Sequence, residues 1–176
     1  MKKSVVALIA LLLAGALWLQ QQPKDTAQTL PALPTFALAN VQHVEVMLDQ
    51  KTTLNAQRDG DAWILADADS RQLLHVLAIE QLLTDLQHMQ PKRVVSHNPE
   101  NAAKFEVTAS DARVILTDAN KKVLLDVFVG KPATDLRSTY IRVASEDKVL
   151  TVDKTLTWQV KRTPESWFAT PAAEGV

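Results

Sequence analysis

Apolar residues recur at three- and four-residue steps between positions 76 and 89, as Val76, Ile79, Leu82, Leu83, Leu86 and Met89. That spacing lines one face of a helix, so a helix is predicted over 70–90. Asp69 or Ser70 would cap its start by accepting a bond from a free backbone N–H, and Pro91 would end it, because the residue before a proline is driven out of the helical region. Elsewhere the pattern has the shorter period of strands. Val44, Val46 and Leu48 alternate with His43, Glu45 and Met47, which predicts a half-buried strand over 41–48. Residues 52–58 and 62–65 flank Asp59-Gly60, where glycine supplies the positive φ of a tight hairpin turn.

Further strands are predicted over 113–117 and 123–129, joined by a turn at 118–121 and broken by Gly130-Lys131-Pro132. Another hairpin pairs 139–144 with 149–152 around 145–148. Residues 100–104 can make one helical turn, with Phe105 and Val107 as anchors. Residues 154–161 can make a short helix with Leu156 and Val160 inward, ended by Pro164, after which Trp167 and Phe168 tuck back. Hairpin-length connections favour antiparallel pairing, so the expected class is α+β, with antiparallel β-hairpin sheets and helices packed on one face. The order strands–helix, strands–helix over 41–90 and 112–162 is that of two degenerate strand–strand–helix halves, although the halves share no convincing residue identity.

The N-terminus changes the picture. Lys2 and Lys3 precede Val5–Leu19, an uncharged apolar run with the layout of a secretory leader or an N-terminal hydrophobic anchor helix. As a helix the run would span about 22 Å, short of a ~30 Å hydrocarbon core, which favours a leader. Against cleavage, Ala14-Gly15-Ala16 lies inside the run, and Trp18 sits where an interfacial anchor belongs. The expected division is residues 1–19 as anchor or signal, 20–34 as a proline-containing spacer, 35–168 as the exported domain and 169–176 as a loose tail. Anchored, the chain is a single-pass inner-membrane protein with its C-terminal domain in the periplasm; cleaved, it is soluble and periplasmic.

Composition narrows the chemistry. Removing Lys2 and Lys3 from 19 basic residues leaves 17 against 20 acidic ones, a balance opposed to nucleic-acid binding. No cysteine is present, so thiolate chemistry and a lipidated cysteine are excluded. His43, His75, His88 and His97 show no metal-ligand spacing, and Asp59, Asp61, Asp67 and Asp69 lack the frame of a calcium loop, so these aspartates read as turn and cap residues. Ser96 and His97 are strand neighbours and point to opposite faces, so they form no dyad. No catalytic residue, metal site or cofactor is expected, and the chain reads as a non-enzyme. In Arg93-Val94-Val95-Ser96-His97-Asn98-Pro99, a strand ending in a turn stands beside a second reading, a polar contact patch of Arg93, Ser96 and Asn98. Tyr140 and Arg142 complete the candidate partner-contact set.

Several stretches, in their order, resemble one bacterial family. They are Arg58-Asp59-Gly60-Asp61-Ala62-Trp63-Ile64-Leu65, the leucine-rich helix with RVVSHNP, Phe105-Glu106-Val107, Val129-Gly130-Lys131, Thr139–Val143 and Val149–Asp153. Together they are similar to domain-of-unknown-function family 4340, over about 41–167. Glu106-Val107 stands where the family's usual pair is Gly-Leu. The resemblance implies a membrane-anchored auxiliary protein that accompanies gliding-motility-type ABC transporter components, with no known catalytic residues. Two functions are therefore expected. The first is a non-enzymatic, membrane-anchored periplasmic accessory that binds a protein partner, an ABC transporter complex. The alternative is a soluble periplasmic module that binds a small or polymeric envelope ligand after leader cleavage.

Overall fold

The computed structural model describes residues 30–66, 68 and 71–169. The apolar segment 5–19, most of the spacer, Asp67, Asp69 and Ser70 with their expected turn and cap roles, and the tail beyond Ala169 lie outside the described residues.

Eight strands form one sheet: β1 (His43–Leu48), β2 (Lys51–Asp59), β3 (Ala62–Leu65), β4 (Pro91–Ser96), β5 (Ala112–Thr117), β6 (Val123–Pro132), β7 (Thr139–Val143) and β8 (Val149–Val152). Their order across the sheet is β3-β2-β1-β5-β6-β7-β8-β4, and every neighbouring pair is antiparallel. The α+β expectation holds. β3 falls where Trp63 and the hairpin glycine placed it, and Gly60 takes the positive φ of 62°.

Among the described residues two α-helices, α1 (Val76–His88) and α2 (Thr157–Val160), pack on one face. Ile79, Leu82, Leu83 and Leu86 of α1 meet Val44, Val46, Val114, Leu116, Leu125 and Val127 of the central strands, and Leu156 and Val160 join them. The inward positions on the strands are every second residue, as the pleat requires. A 3-10 turn, Pro99–Phe105, covers part of the opposite face. There Ala102, Val107, Phe128, Tyr140 and Val149 make a second, smaller core.

Several boundaries differ from expectation. The first strand starts at His43 rather than residue 41, and α2 is confined to Thr157–Val160 within the expected 154–161. Three more differences have a visible cause. The helix begins at Val76, because Gln72–Leu74 serve the sheet instead. Leu65 N–H donates to Gln72 O, Leu74 N–H donates to Trp63 O, and Leu73 bridges Ile64. His75 is the cap, its Nδ1 accepting from Ala78 N–H at 3.2 Å. β6 does not break at Gly130 but runs on to Pro132, with a register shift after Val129. A Cβ at Gly130 would lie 2.1 Å from Phe105 O, so the glycine admits the Pro99–Phe105 turn onto the strand. The spacer, expected to reach Pro34, is already docked by then: Leu33 packs against the core and Phe36 O accepts from Gln87 of α1.

The path of the chain across the sheet links its two ends. α1 leaves the β3 edge, and the strand that follows it, β4, pairs with β8 at the far edge. α2 leaves β8, and the residues after it return, Phe168 bridging Leu74 beside β3.

Candidate functional site

The sheet's second face divides into a covered part and an open part. Over β6, β7 and β8 lies the Pro99–Phe105 turn. Asn98 caps it, its side-chain oxygen accepting from Glu100 N–H at 3.0 Å, with Pro99 at the first helical position. Its exit residue Glu106 is left-handed, and Phe105 stacks on Tyr140 with ring centroids 4.8 Å apart. Beneath it Phe128 lies between two guanidiniums from the neighbouring strands. Arg142 Cζ is 4.3 Å and Arg113 Cζ 5.2 Å from its ring centre. Arg113 is held bidentately by Asp126 at 2.7 and 2.6 Å, and this bonding raises the guanidinium's already high pKa. Burial lowers that of Arg142, whose Nε donates to Val107 O at 2.9 Å and whose Nη1 donates to Glu146 O.

The five residues singled out from the sequence are therefore spread across this region in different roles. Tyr140 is buried, and Arg142 is tied to two carbonyls. Ser96 is buried at the end of β4, its hydroxyl accepting from Asn98 N–H and Asn101 Nδ2. Asn98 is the cap just described. Arg93 stands exposed on β4, the outermost strand.

Among the open surfaces of the described residues, two bear on function. Over β1, β2 and β5 a cleft of about 600 Å³ is lined by His43, Glu45, Asn55, Gln57, Ala66, Ile115, Thr117 and Lys121. It holds polar groups of both signs, and Glu45 accepts from Thr52 Oγ1 at 2.9 Å. At the β3 edge a groove of about 400 Å³ runs between Ala62, Leu73, Leu74, Val76, Leu77 and Ala169. Leu73 is 51% exposed, Leu77 75% and Phe168 36%. These three are missed by the periodicity of α1, because Leu73 lies before the helix and Phe168 after the last one. Leu77 follows Val76 on the helix's outward side.

One cluster beneath this edge is spelled out in the sequence but not legible there as a cluster. Arg58 stacks on Trp63 at 4.4 Å, and Glu80 of α1 accepts from Trp63 Nε1 at 2.8 Å and from Arg58 Nη2 at 3.1 Å. It fixes α1 to β2 and β3. Among the described residues no group of three or more His, Asp or Glu side chains could hold a metal ion, and no helix is long and apolar enough to cross a membrane.

Fold and surfaces together define an antiparallel sheet domain, packed by helices on one face and half covered on the other. Its family is DUF4340, a domain of unknown function: the family's pattern matches residues 75–173, and the chain belongs to it. The match starts at the cap of α1 and runs past Trp167, so β1–β3 precede it. No curated protein and no solved structure matches the chain.

Proposed function

We propose that the chain is a non-enzymatic accessory protein whose domain docks a protein partner, an ABC transporter complex being the partner that its family resemblance implies. Residues 1–19 hold it in the inner membrane in a single pass, and the domain stands on the periplasmic side. The observation that carries the docking is the groove at the β3 edge, lined by the exposed Leu73 and Leu77, with the exposed Phe168 next to it in the chain as the neighbour of Ala169. Scattered apolar residues are ordinary on a surface, whereas exposed leucines lining one groove with an exposed aromatic at its side mark a place where another protein excludes water. The alternative, a soluble ligand-binding module, draws on the polar cleft over His43, Glu45 and Gln57.

The test is alkaline extraction of membranes from cells making the full chain, with mass spectrometry of its N-terminus, followed by crosslinking and recovery of partners. Retention in the pellet with residues 1–19 attached, and loss of the crosslinked transporter subunits on Leu77→Glu, is the expected result. A cleaved, soluble chain with no protein partner would overturn the proposal and favour the alternative.

A further inference from the structure

The two halves of the sheet are built to one plan, visible in pairing rather than in residue identity. His43–Val46 of β1 pair with Gln57–Leu54 of β2, and Arg113–Leu116 of β5 pair with Phe128–Leu125 of β6. Both ladders slip at the same point, directly after Val46 and directly after Leu116. At the centre Val44 faces Leu116 and Val46 faces Val114, the exchange that a two-fold axis between β1 and β5 demands. On the third strands the match continues: Ala66 N–H donates to Asn55 O at 2.8 Å, and Ala144 N–H donates to Asp126 O at 2.9 Å. Leu74 then lies against Trp63 as Leu150 lies against Ile141. Each half also takes its outermost neighbour from the other: Leu150 pairs with Val94 after α1, Leu74 with Phe168 after α2.

The correspondence puts Gln57, Ala62, Ile64 and Leu73 in the places of Phe128, Tyr140, Arg142 and Val149. In the second half this seat lies under the Pro99–Phe105 turn, with Phe128, Tyr140 and Val149 all buried. In the first half Gln57 is exposed, Leu73 is 51% exposed, and the apolar groove opens alongside. We propose that this open seat receives a short helical turn of the partner protein, presenting one aromatic and one aliphatic side chain, as Phe105 and Val107 are presented in the other half. The proposal rests on the partner-docking reading and names where and how the partner sits.

The chemistry of the seat narrows the occupant. Ile64 replaces Arg142, so the middle of the seat is apolar, with the Gln57 amide at one side and the Asp59–Arg71 ion pair at its rim. Asp59 stands where Gly130 does, so the occupant cannot approach the second strand as closely as Phe105 O does and must lean towards Leu73. In sequence, residues 170–176 follow Ala169, and they offer only Ala172, Ala173 and Val176 as apolar side chains and no aromatic. The covered half uses Ala102, Phe105 and Val107. The tail is therefore the poorer match.

The experiment places a photoreactive phenylalanine analogue at Gln57, Leu73, Leu77 or, as a remote control, Leu136, in the full chain in intact cells. Crosslinked residues are then mapped by mass spectrometry. Gln57 and Leu73 should reach the same short segment of one partner, a segment bearing an aromatic and an aliphatic residue, while Leu136 does not. Leu73→Glu should cut the Gln57 yield roughly tenfold with the melting temperature unchanged. Crosslinks from Gln57 and Leu73 to residues 170–176, to a second copy of the chain, to a glycan or to a charged segment would overturn the proposal. Protein crosslinks from Leu77 with none from Gln57 would overturn it while leaving the accessory reading standing. Absence of protein crosslinks at all three positions would overturn both.

Discussion

Gly130 is the residue on which the covered half depends. Its missing side chain leaves room for Phe105 O, and Val107 Cγ1 would lie 2.8 Å from an added Cβ. Gly130→Ala must push the Pro99–Phe105 turn off the strand, at a cost of about 3 kcal/mol; urea unfolding should show it. Asp135 is a second such residue. The Ser138 hydroxyl, the Lys92 ammonium and the Arg137 N–H hold its carboxyl well below the usual carboxylate range. A lowered pKa stabilises the fold above the unfolded value of about 4 and ceases to do so as pH falls through the folded value. The loop between β6 and β7 should therefore keep its amide protection at Arg137 and Ser138 from neutral pH through about 4, and lose it only well below that, as Asp135 protonates within the fold. Asp135→Asn should remove this dependence. Glycine at 130 reads as a strand breaker in sequence because punctuation and close approach use the same residue; only the partner backbone distinguishes them.

At the scale of elements, the ends of α1 are set by contacts from outside it. Its start is displaced because Gln72–Leu74 bond to β3, while its end agrees with Pro91. Its buried face was legible from spacing alone, since Ile79, Leu82, Leu83 and Leu86 are all buried. The polar cluster that fixes it was not, since Arg58, Trp63 and Glu80 are brought together only by folding. Glu80→Gln keeps an acceptor for Trp63 but removes the charge facing Arg58; Glu80→Ala leaves the buried indole N–H without a partner. The alanine variant should lose about 1–3 kcal/mol of stability by urea melt and the glutamine variant clearly less. An equal loss would show that charge, rather than the indole bond, holds the helix.

Over the whole molecule, strand count, class and hairpins were readable because alternation and turn residues are local signals. The single continuous sheet was not, because β1 beside β5 and β4 beside β8 are pairings between distant segments. The same limit applied to the surfaces. Tyr140 and Arg142 carry the chemistry of contact residues, yet the Pro99–Phe105 turn and its exit enclose them, while Leu73 and Phe168 are left outside.

The crossing of the chain from edge to edge has a mechanical meaning. Each half is clasped by a strand or bridge belonging to the other, β4 on β8 and Phe168 on Leu74. Drawing the halves apart would have to strip both clasps and shear β1 from β5 together. Motion of one half against the other along the middle of the sheet is thus opposed at three places at once, the β1–β5 ladder and both edges.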